Sequence, residues 1–366
     1  MKTAAIIAEY NPFHNGHKFH IEKTRLFSDR VVVLMSGSFV QRGEAAIFSK
    51  WQRAESAVKN GADLVIELPC HYSVSSSRDF AWGAVRILDA LGCVDFLSFG
   101  SESGSPEMPE ETEDFSRLLK AYQKEGLSYR AASEKAAAEL NIALPENPND
   151  LLGAEYIKAL RRIKSSIVPV ATERTVAHDS VKVSGFFASA SRIRELISEG
   201  KDVSAFVPEL PPERPLFFSD LKSLIYLSVL NFDPERFSVR SLSDSELLNT
   251  IAKKQPEEDF MSHLYNIKSK RYAMSRVKRT LLHILLNSGE KIPDFAPYAR
   301  VLALNNTGAS ILRDAKKSGI KIITKLKKSD LKENPGLALD VRASDIRSIA
   351  LGEGAGRDFL TSPRKI

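Results

Sequence analysis

A five-residue apolar run, Ala4-Ala5-Ile6-Ile7-Ala8, leads directly into Glu9-Tyr10-Asn11-Pro12-Phe13-His14-Asn15-Gly16-His17. This junction constrains the fold more than any other stretch of the chain. A short apolar run without alternation reads as a buried parallel strand, and Pro12 stops it. A helix is expected to begin near Gly16-His17 and to run through Phe19, His20, Lys23 and Thr24. Gly16 lets the backbone approach a ligand with no Cβ in the way. The start of the helix offers unpaired N–H groups and positive dipole charge to an anion. His14 and His17 can donate hydrogen bonds to phosphate oxygens as charge shifts onto departing pyrophosphate. The His-x-Gly-His turn is therefore expected to bind a nucleoside triphosphate for attack at its α-phosphate.

The strand–helix rhythm continues. Val31-Val32-Val33-Leu34-Met35, Leu64-Val65-Ile66-Glu67-Leu68, Phe96-Leu97-Ser98-Phe99 and Ile167-Val168-Pro169-Val170 are strand candidates. Between them lie helix candidates from the Ser49 cap to Gly61, from Phe80 to Leu91, at 115–125 and 129–140, and over Leu151–Leu160 with Asp150 as the expected cap. This alternation predicts an α/β fold, a doubly wound parallel sheet with helices on both faces. Ligands in such sheets bind beyond the carboxyl ends of the strands. The His-x-Gly-His turn lies at one such end and Gly100-Ser101-Glu102 at another.

Ser189-Ala190-Ser191-Arg192-Ile193-Arg194 resembles a second adenylyltransferase signature, Ser-Ser/Ala-Thr/Ser-x-Ile-Arg. Its small hydroxyl residues, Ser189 and Ser191, cap a helix and leave N–H groups for phosphate. Arg192 or Arg194 then offers a planar fork to phosphate oxygens.

Pro208, Pro211, Pro212 and Pro215 mark a linker near 201–216. The expected division is a catalytic domain at 1–205 and a mostly helical, basic C-terminal domain at 216–366. In the latter, Met274, Val277, Leu281, Ile284 and Leu285 form a core stripe at helical spacing. Lys270, Arg271, Lys278 and Arg279 lie largely off it and can meet RNA phosphates. Val301–Leu304 and Lys321–Thr324 read as short strands around a helix from Gly308 to Lys317. The net charge of +6 is concentrated in this C-terminal part. Cys70 and Cys93 show no metal-ligand spacing and are expected to be small core residues of a reduced, cytoplasmic protein. No 18-residue apolar run exists, so no membrane span is expected. Arg42 and Lys50 are candidates for contact with RNA or a small acid, whereas Lys18 and Lys23 read as solvated helix residues.

The chain resembles the bacterial tRNA(Met) cytidine acetate ligases. The matching stretches are Glu9–His17, Met35-Ser36-Gly37 with Gln41-Arg42-Gly43-Glu44, Asp63–Pro69, Pro148-Asn149-x-x-Leu152-Gly153-x-Glu155-Tyr156 and Ser189–Arg194. Arg276-x-x-Arg279-Thr280-Leu281-Leu282, Asp340–Ile346 and Asp358-Phe359-x-x-Ser362-Pro363 match as well. The resemblance implies a Rossmann-like nucleotidyltransferase fold and a two-step reaction. Acetate attacks ATP to give acetyl-adenylate and pyrophosphate, and the acetyl group passes to N4 of the wobble cytidine of elongator tRNA(Met). It also implies ATP contacts along Ile7-Ala8-Glu9-Tyr10-Asn11-Pro12-Phe13-His14-Asn15-Gly16-His17-Lys18-Phe19-His20, at Gly100, Asn149 and Arg174, and at Ser189 and Ser191. His14, His17 and Arg194 are the expected catalytic residues. No dedicated metal cluster is read from the sequence, and Mg²⁺ is expected to arrive with ATP. No obligate protein partner is inferred. Two other readings share the turn: a small-molecule adenylyltransferase, which would have no use for the basic helical part, and a non-catalytic RNA-binding factor, against which intact His14, His17 and Arg194 speak. An aminoacyl-tRNA synthetase is disfavoured because no Lys-Met-Ser-Lys-Ser loop is present.

Overall fold

The computed structural model describes residues 1–104, 112–127, 129–145, 147–173, 185–237, 244–287 and 297–366. The first half of the chain builds β1 (Thr3–Ala8), α1 (Asn15–Arg25), β2 (Arg30–Ser36), the hairpin strands β3 (Phe39–Val40) and β4 (Glu44–Ala45), and α2 (Lys50–Lys59). Next come β5 (Leu64–Leu68), α3 (Cys70–Ser73), α4 (Ser77–Ala90), β6 (Phe96–Ser101), α5 (Glu113–Lys124), α6 (Tyr129–Glu139), α7 (Pro148–Ile163), β7 (Val168–Glu173) and α8 (Ala190–Ser198). The remainder forms helices α9 (Lys222–Leu230), α10 (Ser245–Lys253), α11 (Phe260–Ile267) and α12 (Met274–Leu285). It then continues through β8 (Tyr298–Leu304), α13 (Asn306–Ala315), β9 (Lys321–Ile323), α14 (Lys328–Glu333), α15 (Pro335–Ala350), α16 (Arg357–Leu360) and β10 (Arg364–Lys365).

The sheet has the order β10-β8-β5-β2-β1-β6-β7, with β9 also pairing with β8. From β5 to β7 every pairing is parallel. Every residue of β2 and β5 is buried, as strands covered on both faces require. Side-chain alternation sorts β2 between two layers. Val32 and Leu34 join Leu64, Ile66 and Phe80, Ile87 and Leu88 of α4 on one face. Val31, Val33 and Met35 join Ile21 of α1 and Trp51, Ala54 and Val58 of α2 on the other.

Two local expectations change. Asp150 does not cap α7: Pro148 occupies the first turn and Asn147 is the cap residue. Asp150 instead accepts hydrogen bonds from Ser101 Oγ at 2.5 Å and Glu102 N at 3.1 Å, pinning the loop that leaves β6. The sheet, moreover, continues past the 201–216 linker. Helices α9 to α12 form a helical unit, whose core of Ile225, Leu247, Leu264, Val277 and Leu281 packs on Phe39, Ala45 and Val74 and on Leu339, Ala343 and Ile346 of α15. The chain then returns, and β8 lies antiparallel along β5, pairing Leu64 with Leu304 and Glu67 with Arg300. Both cysteines are unpaired, Cys70 buried and Cys93 half-buried. No helix among the described residues is long and apolar enough to cross a membrane.

Candidate active site

The carboxyl end of β1 turns at Tyr10, a non-glycine residue at φ +48° whose ring is almost wholly buried. That ring packs 4.7 Å from the ring of His17 and 4.8 Å from Phe13. His14 is the cap residue of α1, and its Nδ1 accepts the N–H of Gly16 at 3.1 Å. His17 Nδ1 accepts the N–H of His14 at 3.3 Å. The two imidazoles stack with centroids 3.6 Å apart. An Nδ1 that accepts a backbone N–H carries no proton, so each neutral ring holds its proton on Nε2, as a donor. A Cβ at position 16 would lie 2.9 Å from His14 Cε1. Gly16 thus makes room for the His14 ring, in addition to the room for ligand expected of it.

Both histidines line a cavity of about 340 Å³ at the carboxyl ends of β1 and β6. Ile7, Ala8, Glu9, Tyr10, Asn11 and His20 line it from the first βα unit, Gly100 from β6, Asn149 from α7, and Ser191 and Arg194 from α8. Ser189 caps α8 by accepting the N–H of Arg192 at 3.2 Å. Arg194 donates to the carbonyl of Asn11 at 2.8 Å and to Ser191 Oγ at 3.2 Å, so the two motifs are bonded to each other across 183 residues. Burial lowers the Arg194 pKa, against the pull of Glu44 and Glu9. Arg192 pairs with Glu195.

Other expected contacts lie outside the cavity wall. Pro12, Phe13, Gly16, Lys18 and Phe19 do not line it, and Asn15 Nδ2 donates to the carbonyls of Phe186 and Ala205, both at 2.9 Å. Arg174 lies outside the described residues. Arg42 lines the cavity, whereas Lys50 is buried between Glu67 at 2.8 Å and Asp358 at 2.7 Å. Among the four basic residues expected at RNA, Lys270 is exposed, and Arg271 is exposed but paired with Glu246 at 2.6 Å. Lys278 and Arg279 turn inward. Lys278 binds Glu44 at 2.8 Å, and Arg279 donates to the carbonyl of Gln41 at 2.9 Å. Burial brings the Arg279 pKa down to about 10.

Sequence reading missed Glu44 and Tyr156 in the cavity, and Gln41 beside them, although all three fall in stretches that carried the resemblance. It also missed Arg53, which is fully buried and donates to the carbonyls of Glu9 at 2.5 Å and Ser36 at 3.0 Å. This residue fixes the ends of β1 and β2 relative to each other. Among the described residues no cluster of three or more His, Cys, Asp or Glu side chains is arranged to hold a metal ion.

A turn of paired imidazole donors, a capped helix with its arginine and a cleft at the switch between β1 and β6 together make a site with the chemistry an anionic ligand calls for. The family described as HIGH nucleotidyl transferase matches residues 1–358. The chain belongs to that family. A tRNA(Met) cytidine acetate ligase of Caldanaerobacter subterraneus subsp. tengcongensis is 37% identical over 386 residues, covering 96% of each chain. One from Clostridium botulinum is also 37% identical, covering 99% of this chain and 98% of its own. A crystal structure of Thermotoga maritima TmcAL bound with alpha-thio ATP covers both chains completely, with 27% identity and a TM-score of 0.84. The fold of this HIGH nucleotidyl transferase is therefore the α/β class expected, a mostly parallel, doubly wound sheet with a largely helical C-terminal region whose β8 returns to the sheet.

Proposed function

We propose that this HIGH nucleotidyl transferase is a tRNA(Met) cytidine acetate ligase. The observation that carries the reading is the pair of imidazoles held as Nε2 donors at the mouth of the same cavity as Arg194. Full-length similarity to ligases of that name supports the substrate, and the ATP-analogue-bound relative supports ATP. In this reading the triphosphate lies over the start of α1. His14, His17 and Arg194 offset the charge that keeps an acetate carboxylate away from the α-phosphate, and they stabilise the departing pyrophosphate. Ser191, Asn149, Gly100 and, from the 7–20 segment, Ile7 to Asn11 with His14, His17 and His20 hold the nucleotide. Mg²⁺ comes with the triphosphate and is held by phosphate oxygens. The acetyl group then passes from the adenylate to N4 of the wobble cytidine.

Residues 1–205 supply the nucleotide site and the part beyond residue 216 faces the tRNA, with Lys270 and Arg271 as phosphate contacts. Lys278 and Arg279 act through the Gln41–Glu44 loop. Incubation with ATP, labelled acetate and unmodified tRNA(Met) tests the reading. Label should be retained at the wobble cytidine. Label found in an adenylate but never in RNA would defeat the second step, and ATP turnover stimulated by a mononucleotide instead of tRNA would point to a small-molecule adenylyltransferase.

A further inference from the structure

We propose that Glu9 is the general base that takes the proton from the attacking cytidine amine in acetyl transfer; this rests on the ligase reading above. The cavity contains two carboxylates, Glu9 and Glu44, in opposed surroundings. Glu44 is committed: one oxygen lies 2.8 Å from Lys278 Nζ and the other 3.7 Å from Arg194. Burial works to raise its pKa, but Lys278 and Arg194 hold it below the usual carboxylate value. Glu9 has one oxygen fixed by the N–H of Gln41 at 2.9 Å. No group among the described residues bonds the other. Burial raises its pKa, and the Gln41 bond, Arg194 and Arg42 only partly oppose this. Two carboxylates pushed apart in this way divide into a permanent anion and a proton acceptor.

The other titratable groups around Glu9 are engaged elsewhere or held protonated. Nδ1 of His14 and of His17 already accepts a backbone N–H, and Nε2 is a donor. His20, further along α1, is bonded to Ser98 Oγ at 2.9 Å. Tyr156 of α7 is kept protonated by burial and by Glu9 itself. Arg42, Arg53 of α2 and Arg194 of α8 are cations that favour the ionised form of Glu9. The chemistry needs such an acceptor. The N4 lone pair forms a bond to the acetyl carbon of the adenylate, the carbon–oxygen bond to AMP breaks, and AMP leaves with that electron pair. The surplus N4 proton goes to the Glu9 carboxylate and from there to solvent.

The experiment measures two half-reactions in Glu9→Gln and Glu9→Asp. Acetate-dependent ATP–pyrophosphate exchange reads the first, and single-turnover transfer of labelled acetate to unmodified tRNA(Met) reads the second, from pH 5.5 to 9. In Glu9→Gln, transfer should fall about a hundredfold or more beyond any loss of exchange, the usual scale of general-base catalysis. Wild-type transfer should slow as pH falls through the Glu9 pKa, because the protonated carboxyl accepts nothing. That acidic limb should vanish in Glu9→Gln, and Glu9→Asp should recover part of the rate with the limb displaced. Equal losses in both half-reactions, or an acidic limb that survives in Glu9→Gln, would overturn the proposal. If Glu9→Gln does not fold, an unchanged limb in Glu9→Asp overturns it equally. Wild-type enzyme with no acetate-dependent exchange would instead overturn the ligase reading.

Discussion

His14 serves the fold and the proposed chemistry with different atoms of one ring. Its Nδ1 closes the first turn of α1, and its Nε2 is the donor offered to the cavity. His17 accepts the N–H of His14 and packs against the rings of His14 and Tyr10, but it is not the cap residue of the helix. The two alanine variants should therefore differ. Both should lose about 100- to 1,000-fold in pyrophosphate release, the effect of removing one preorganised donor. His14→Ala should also lose roughly 1 kcal/mol of stability with its cap, whereas urea unfolding of His17→Ala should stay closer to wild type. Near-normal turnover in both would remove the imidazoles from the mechanism. The His-x-Gly-His turn and the Ser189–Arg194 segment were legible in the sequence because each concentrates its chemistry within one turn of chain. Glu44, Tyr156 and Arg53 were not, because a lone carboxylate, phenol or guanidinium in an otherwise ordinary segment has no local pattern. What places them is burial and distant partners, the carbonyls that Arg53 meets and the Lys278 and Arg194 cations beside Glu44, and these exist only after folding.

The β3–β4 hairpin shows how one element can be set by another far away in sequence. Gly43 sits at φ +76°, and a Cβ there would come within 2.6 Å of the backbone N of Arg279 and 2.8 Å of Lys278 Cβ. The close approach lets Lys278 reach Glu44 and Arg279 reach Gln41. Gly43→Ala should cost about 2–4 kcal/mol, from left-handed backbone strain and from overpacking against α12. It should also weaken ATP binding in a calorimetric titration, since Gln41, Arg42 and Glu44 would be displaced from the cavity wall. Affinity equal to wild type would show that the hairpin does not shape the site. Strands β1, β2, β5, β6 and β7 were readable from their apolar runs, and so were β8 and β9 as short strands. The position of β8 was not. Nothing in Val301-Leu302-Ala303-Leu304 says that it pairs antiparallel with a strand made long before it, because strand pairing at such separation leaves no periodicity behind. The basic residues of α12 misled for a related reason. Charge at helical spacing reads as a solvated face, and only the packing of α12 on Gly43 turns Lys278 and Arg279 inward.

At the scale of the whole molecule, two stretches that carried the family resemblance away from the nucleotide, Asp63–Pro69 and the one beginning at Asp358, meet in one buried cluster. Lys50 bonds both oxygens of Glu67, at 2.9 and 2.8 Å, and Asp358 at 2.7 Å, while Arg300 donates to the carbonyl of Asp358 at 3.1 Å. Burial and Glu67 push the pKa of the nearby Asp340 carboxyl up to about 8, so Lys50 and Arg300 are the cations beside Glu67 and Asp358, and Lys50→Met would leave those carboxylates with one cation between them. Chemical denaturation should show a loss of about 3–5 kcal/mol, the cost of breaking a buried pair from one side; an unchanged midpoint would mean that the cluster contributes nothing net. Because β8 completes the sheet, a fragment of residues 1–216 should lack a cooperative unfolding transition, and the full chain should regain it; a fragment that melts cooperatively by itself would show that the edge of β5 needs no cover. The antiparallel closure also has a temporal side. A ribosome adding 5–20 residues per second takes roughly 10–50 s to travel from Leu68 to Tyr298. Throughout that interval the newborn polypeptide displays one uncovered edge of β5, a strand apolar except for Glu67, the kind of edge to which other chains adhere. Its safe passage depends on whatever shields that edge until the distant partner has been made.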